Sequence, residues 1–110
     1  MLYILNTLIV PVDFGIKQEY VVSIQKIDLE TARRIVREMK FTSAVGHEAT
    51  AKLLTELLRV EIPFNRVAVK MKEGDMGLHF VLRTRLPEGK VLSEEELREL
   101  DFDLVLSKVS

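Results

Sequence analysis

The chain contains 110 residues with a formal net charge of −1; 47% of the residues are hydrophobic and 30% are charged. This composition excludes a disordered chain and predicts one folded domain over residues 1–110. Because the net charge is near zero, an anionic ligand would need a local cluster of positive groups. Cysteine is absent, which excludes disulfides and thiolate metal sites, and no apolar run has the length of a membrane span. We therefore expect a cytoplasmic protein with no membrane partner.

The first part of the chain predicts two strands and a helix. Residues 2–10 form an almost continuous apolar run, typical of a strand buried on both faces, and Pro11 ends this run. Residues 20–27 alternate between apolar and polar side chains, which predicts a half-buried strand. Asp28 is a favourable N-cap for a following helix. The apolar stripe of that helix consists of Leu29, Ala32, Ile35, Val36 and Met39.

A second helix is predicted to begin directly after Gly46, and Pro63 prevents its continuation. Its apolar stripe consists of Leu53, Leu54, Leu57 and Leu58. Residues 67–71 and 78–84 then predict two strands, which residues 72–77 join as a hairpin.

The last part of the chain predicts a loop, a short helix and a strand. Residues 86–90 contain a proline and a glycine and interrupt the strand pattern. Ser93 and Glu96 form a capping box that opens a short helix, and residues 102–109 predict the final strand. The resulting order β-β-α-α-β-β-α-β is typical of an α+β (mixed α/β) fold with a mixed sheet of about five strands flanked by helices.

The first candidate site lies at the start of the second helix. Gly46 allows a tight turn and a close approach of a ligand, while the free N–H groups of the helix and its dipole favour a phosphate. His47 would then lie in the first helical turn, beside the bound phosphate. The alternative is an ordinary turn that carries a surface histidine.

Two further candidate sites carry arginine. Arg83 and Arg85 lie at the end of a predicted strand that leads into a loop, and arginine forks suit phosphate oxygens. Asn65 and Arg66 follow a proline and precede another predicted strand. The alternatives are a solvated strand end and an ordinary turn. His79 lies in an alternating strand and is interpreted as structural, and no pair of histidines or carboxylates has metal-ligand spacing, so we expect no metal and no cofactor.

Four segments, taken in order along the chain, resemble the viral ring nucleases. The segments are residues 2–6, 43–51, 65–67 and 84–90. The viral ring nucleases are anti-CRISPR proteins of archaeal viruses, phages and mobile elements that act against type III CRISPR immunity, and they were first catalogued as a domain of unknown function. The Gly-His block and the Arg-Leu-Pro-Glu-Gly block are specific in combination.

The resemblance implies a homodimer that binds cyclic tetra-adenylate across its two-fold interface, under a lid, in the host cytoplasm if the protein is viral. His47 matches the general acid of the family, and Arg85 and Glu88 match its lid and active-site residues. The predicted ligand-binding residues are Asn6, Gly46, Thr50, Arg66 and Arg83. Ala49 and Val81 stand where some relatives carry serine and glutamine, so the ligand contacts at those two positions are expected to differ.

RNA cleavage of this kind needs few protein groups because the substrate carries its own nucleophile. A ribose 2′-hydroxyl attacks the adjacent phosphorus and expels the 5′-oxygen, which leaves a 2′,3′-cyclic phosphate. The enzyme must align the sugar, stabilise the charge on phosphorus and protonate the leaving oxygen. The sequence therefore predicts a metal-independent ring nuclease that releases linear di-adenylates from the cyclic substrate.

Three alternative functions remain at the level of the sequence, of which a purely structural virion protein ranks last because a polar Gly-His turn has no evident packing purpose. A nucleic-acid-binding viral regulatory protein would use Arg33, Arg34 and Arg37, but we interpret these arginines as a solvated helix face, and the near-zero net charge also disfavours this alternative. A sponge that binds the cyclic ligand without cleaving it would use the same arginines, and it differs from the enzyme by not needing His47.

Overall fold

The computed structural model describes residues 1–83 and 94–110, which form a five-stranded mixed sheet with helices. The elements are β1 (Leu2–Leu5), β2 (Val22–Ile27), α1 (Leu29–Glu38), β3 (Phe41–Ala44), α2 (Glu48–Leu58), β4 (Met76–Leu82), α3 (Glu94–Glu99) and β5 (Phe102–Val109). The predicted α+β class is confirmed. No helix among these residues is long and apolar enough to cross a membrane.

The strand order of the sheet is β2-β5-β4-β1-β3. β1 lies between β3 and β4 and runs parallel to both, so that Leu5 pairs with Ala44 on one side and with His79 on the other. β5 is antiparallel to its neighbours β4 and β2. The carboxyl ends of β1, β3 and β4 therefore meet at one edge of the sheet, which we call the carboxyl edge.

Helices α1 and α2 pack on one face of the sheet. Cross-strand partners such as Ile4 and Leu78 share this face because side chains alternate along each strand. The core between helices and sheet includes Leu2, Ile4, Ala32, Val36, Leu54, Leu57, Leu58, Leu78, Phe80 and Leu104. The predicted apolar stripe of α2 is confirmed, since all four of its leucines are buried.

Helix α1 begins as predicted but differs from the prediction on its polar side. The Asp28 carboxylate accepts a hydrogen bond of 2.8 Å from the Thr31 backbone N–H, and hydrogen bonds from the Thr31 side chain and backbone lower the pKa of Asp28. Arg33 was expected to be solvated, which is wrong. Its Nε donates to the Leu57 carbonyl of α2 over 2.9 Å, and its guanidinium also pairs with Glu30 at 2.8 Å.

Several predicted strands differ from those observed. β3 was not predicted, since its four residues lie between the two predicted helices and received no assignment from the sequence. Residues 67–71 form no strand and no hairpin with β4; only Met71 makes an isolated bridge, with Val12. A hairpin partner of β4 would need a position beside it, and both of these positions are occupied, by β1 and β5. β1 itself ends at Leu5 rather than at residue 10, because the chain bends at Asn6.

The face of the sheet opposite α1 and α2, called here the helix-free face, contains a buried polar cluster. His79 is 0% exposed; its Nδ1 is 2.9 Å from the Thr7 carbonyl and its Nε2 is 2.7 Å from Ser107 Oγ. A side-chain carbon at Gly77 would lie 2.5 Å from His79 Nε2 and 2.6 Å from Ser107 Oγ, so only glycine fits there. The interpretation of His79 as a structural residue agrees with this burial.

The helix-free face also carries exposed apolar side chains. Ile24 is 57% exposed, and its cross-strand partner is Ser107, so its side chain lies on this face. The coil between β1 and β2 is attached to the same face through Thr7 and His79. Its exposed large apolar residues are Leu8, Ile9, Phe14, Ile16 and Val21.

Candidate functional site at the carboxyl edge

The carboxyl edge brings together predicted site residues that are far apart in sequence. Asn6 directly follows β1, Gly46 lies two residues after β3, and Arg83 directly follows β4. Because these three strands are parallel, their following residues lie at the same edge of the sheet. Ligands of open α/β sheets bind preferentially outside the carboxyl ends of parallel strands, so this edge is the candidate site.

The Asn65-Arg66 motif is attached directly to the Gly-His motif. The Asn65 N–H donates to the Val45 carbonyl over 2.9 Å, and its side-chain Nδ2 donates to the Ser43 carbonyl over 2.7 Å. As a result the exposed Arg66 flanks Gly46: a methyl group at Gly46 would lie 3.5 Å from Arg66 Cγ. Two motifs separated by about twenty positions in the sequence thus form one surface.

Ser43 is a supporting residue that the sequence analysis missed. Its hydroxyl donates to the Pro63 carbonyl over 2.6 Å, while its backbone carbonyl accepts from Asn65. An isolated parallel bridge between Val45 and Phe64 continues the same attachment. The only signal in the sequence was the position of Ser43 within β3, a strand that was not predicted.

His47 is the N-cap of α2 rather than a residue of its first turn. Its imidazole Nδ1 accepts from the Thr50 backbone N–H over 3.4 Å and lies 3.1 Å from Thr50 Oγ1. Since Nδ1 accepts a hydrogen bond, the neutral ring carries its hydrogen on Nε2. The side chain is exposed, and no hydrogen bond from a residue in 1–83 or 94–110 engages Nε2.

The turn expected at Gly46 does not use the positive φ that glycine adopts more readily than other residues. Among the glycines at described positions only Gly74 has a positive φ, of 95°. A side chain at Gly46 would instead make ordinary contact with Arg66. The absence of a side chain at Gly46 therefore leaves open the space between the backbone and this arginine.

Arg83 is held by two carboxylates. Its guanidinium pairs with Asp101 and, over 2.5 Å, with Asp103. The hydrogen bond to Asp101 is the main cause that raises the pKa of Arg83. The pKa of Asp101 is lowered by its hydrogen bond to Arg83. The pKa of Asp103 is lowered first by its hydrogen bond to Lys26 and then by its hydrogen bond to Arg83. Arg83 can contact a ligand only by sharing or leaving these partners.

Arg85 and Glu88 lie outside the described residues, as do the predicted loop 86–90 and Ser93.

The described part of the site offers cations and hydrogen-bond donors rather than metal ligands. Arg66 forms no ion pair within residues 1–83 and 94–110, so its charge is available to an anion. The positive end of the α2 dipole lies beside it. Within the same ranges no group of three or more His, Asp or Glu could hold a metal ion.

Fold and site together define a small mixed-sheet protein whose polar and cationic residues gather at the carboxyl edge of three parallel strands. Residues 2–104 match the model of the STIV B116-like family, and the chain belongs to this family. It is similar to Uncharacterized protein 26 of the Sulfolobus islandicus filamentous virus (isolate Iceland/Hveragerdi), with 44% identity over 99% of this chain and 92% of the relative. Uncharacterized protein ORF117 of Acidianus two-tailed virus is 41% identical, over 98% of this chain and 92% of its own.

A solved structure has the same fold. B116 of Sulfolobus turreted icosahedral virus superposes with a TM-score of 0.81 at 26% sequence identity, covering 97% of each chain. The family is thus represented in several archaeal viruses, which supports the viral character implied by the sequence.

Proposed function

We propose that this protein is a metal-independent ring nuclease. It binds cyclic tetra-adenylate and cleaves it to linear di-adenylates with 2′,3′-cyclic phosphate ends, thereby ending type III CRISPR signalling. The proposal is supported by the resemblance of four sequence segments to the viral ring nucleases and by the grouping of three of them near the carboxyl edge.

The observation that carries the proposal is the placement of His47. An exposed imidazole caps α2, its Nδ1 is occupied by Thr50, and its Nε2–H is directed away from that contact. Arg66 and the helix N-terminus lie next to it, so a phosphate at this position would meet a proton donor and positive charge together.

The chemistry divides among these groups as follows. The ribose 2′-oxygen bonds to phosphorus and loses its proton to water, while the bond from phosphorus to the 5′-oxygen breaks. Protonated His47 gives the Nε2 proton to that 5′-oxygen, which makes it a better leaving group. Arg66 and the N–H groups of α2 stabilise the negative charge that develops on the phosphoryl oxygens.

A homodimer is the second part of the proposal. The helix-free face exposes Ile24 and the apolar residues of the coil between β1 and β2, which is typical of a surface that another protein covers. A two-fold dimer carries two copies of His47 related by a half-turn, and a ring of four equal linkages offers two opposite phosphates related in the same way. Two cuts would then release two linear dinucleotides.

The test is incubation of the purified protein with cyclic tetra-adenylate in EDTA, together with two variants of His47. We expect the wild type to cleave despite the chelator. His47→Asn removes the imidazole but keeps a strong N-cap, so turnover should fall by about 10²–10⁴-fold with binding retained and thermal stability unchanged. His47→Ala should lose the same activity and also up to about 1 kcal/mol of stability.

The outcomes separate the proposal from its alternatives. Undiminished cleavage by His47→Asn would remove the histidine from the mechanism. Tight binding by the wild type without any products would establish a sponge instead. Preference for duplex or single-stranded nucleic acid over the cyclic ligand would establish the regulatory alternative. The structure weakens that alternative, because the Arg33 side chain is already bonded to Leu57 and Glu30.

A further inference from the structure

We propose that Thr50 is a positioning residue that holds the His47 ring through both of its protonation states. The geometry concerns one hydroxyl and one ring nitrogen: Thr50 Oγ1 lies 3.1 Å from His47 Nδ1. The consequence for catalysis rests on the proposed function, whereas the contact itself is a property of the free protein. This role differs from the direct ligand contact that the sequence resemblance implies for Thr50.

Two groups of Thr50 face Nδ1, and they are not equivalent. The backbone N–H is a donor only, and it contacts Nδ1 over 3.4 Å. The hydroxyl is both a donor and an acceptor. While the ring is neutral with its hydrogen on Nε2, either group can donate to Nδ1, so the cap of α2 does not depend on the hydroxyl.

The situation changes when the ring is protonated. Nδ1 then carries a hydrogen and can no longer accept, so the backbone N–H of Thr50 loses its partner. The hydroxyl can turn and accept from Nδ1–H, and it is the group within the described residues that is placed to do so. A hydrogen bond from a charged donor is stronger than one between neutral groups.

Nδ1 of His47 also needs the Thr50 hydroxyl as an acceptor during the proton transfer. When imidazolium gives its Nε2 proton to the 5′-oxygen, the electron pair of that N–H bond stays on Nε2, and Nδ1 keeps its hydrogen. Nδ1 therefore remains a donor before and after the step, and Thr50 Oγ1 accepts in both states. Because Thr50 is only 8% exposed, water has little access to its hydroxyl. The hydroxyl thus keeps Nε2 directed at the ligand during turnover.

Three variants test this role. Thr50→Val has the shape of threonine without the hydroxyl, Thr50→Ser keeps the hydroxyl, and Thr55→Val removes a hydroxyl from the same helix that bonds Ala51 and Ile62 instead of His47. We expect Thr50→Val to lower kcat about tenfold or more with KM nearly unchanged, because the lost contact is one made by a charged donor. Thr50→Ser should restore kcat to within a few-fold of wild type. Thr55→Val is expected to be less stable, and it should leave kcat unchanged at a temperature at which circular dichroism shows it to be fully folded.

A measurement without substrate separates this proposal from the proposed function. Three-bond NMR couplings report the χ1 rotamer of His47 as the pH is lowered. We expect one rotamer to persist in the wild type, Thr50→Ser and Thr55→Val, and rotamers to average in Thr50→Val when the ring is protonated. A single rotamer in acidified Thr50→Val, or equal kcat in Thr50→Val and wild type, would overturn the positioning role. A wild type with no cleavage would end the ring-nuclease proposal, yet the couplings would still decide how the ring is held.

Discussion

At the scale of single residues, His79 and His47 show how differently one residue type is used in the same chain. His47 is exposed and engages a helix terminus through one nitrogen. His79 is fully buried, and both of its nitrogens have partners. Since the Thr7 carbonyl can only accept, Nδ1 of His79 carries the hydrogen, and Nε2 accepts from the Ser107 hydroxyl. Burial of the ring disfavours its charged form, so the folded protein favours the neutral form of His79.

Burial lowers the pKa of His79, and the hydrogen bond to Thr7 opposes this shift. In the unfolded chain a histidine titrates near about 6.5. Below that pH the unfolded state takes up a proton that the folded state refuses, so the free energy of unfolding falls as the pH falls, by at most about 1.4 kcal/mol per pH unit. The contribution of His79 is fully present above about pH 6.5.

Chemical denaturation between pH 5 and pH 7.5 measures this effect. The chain has two histidines, so the measurement is made on His47→Asn, in which His79 is the one that remains. We expect stability to fall on the acidic side in this background. His79→Gln, which cannot titrate, should be less stable at pH 7.5 but should show a flatter profile. Equal slopes with and without His79 would contradict the assignment of a neutral buried ring.

At the scale of elements, α2 is fixed at its far end by a hydroxyl. Thr55 Oγ1 donates to the Ala51 carbonyl over 2.8 Å and accepts from the Ile62 N–H over 2.9 Å. Ile62 is 2% exposed, so its N–H has no access to water. This contact turns the chain back along the helix and leads it to Asn65 and Arg66 at the carboxyl edge.

Thr55→Val should therefore destabilise the fold. The Ile62 N–H would be left buried without a partner, which costs about 1–3 kcal/mol. Thermal or denaturant unfolding measures the loss, and Lys52→Ala on the solvent side of the same helix serves as a control with little expected effect. A Thr55→Val protein as stable as wild type would show that the return segment can find another acceptor.

The elements also show which features a sequence pattern can predict. The Asp28 cap and the start of α2 depend on residues within four positions of each other, and both were predicted close to their observed bounds. β3 has only four residues and adjoins a turn, so its pattern was too short to separate from the loop. Residues 67–71 are mostly apolar, as in a strand, but a strand also needs a neighbour, and the rest of the sheet decides whether one is available.

The candidate site was predictable as a set of residue types but not as an arrangement. Gly46 and Arg66 meet because Asn65 bonds two carbonyls of the β3 end, a contact between segments about twenty positions apart. The carboxylates that hold Arg83 follow α3, beyond a predicted loop. Contacts of this kind depend on the complete fold, whereas the resemblance could only name the residues.

At the scale of the whole molecule, α1 and α2 cover only one face of the sheet. The other face is covered partly by coil, and Ile24 remains exposed on it. We expect the wild type to elute and scatter light as a particle of twice the chain mass, because a second copy would bury this apolar surface.

Ile24→Lys should shift the protein to the monomer, since a charge at the centre of a buried apolar contact is costly. Met39→Lys is the matched control, because Met39 is also an exposed apolar residue but lies at the end of α1. Light scattering with size-exclusion chromatography measures both variants, and circular dichroism checks that they fold. A dimer that survives Ile24→Lys would place the interface elsewhere.

The central position of β1 has a consequence for synthesis. β1 is synthesised first, but its neighbours β3 and β4 follow about 40 and 75 residues later. β2 pairs with β5, which is the last strand of the sheet to be synthesised. A nascent chain of about 80 residues therefore carries β3, β1 and β4 but still lacks β5, which pairs with β4 on one side and with β2 on the other. We expect a fragment that ends before β5 to expose the unpaired edges of β2 and β4, and therefore to aggregate, whatever part of the carboxyl edge it has already formed.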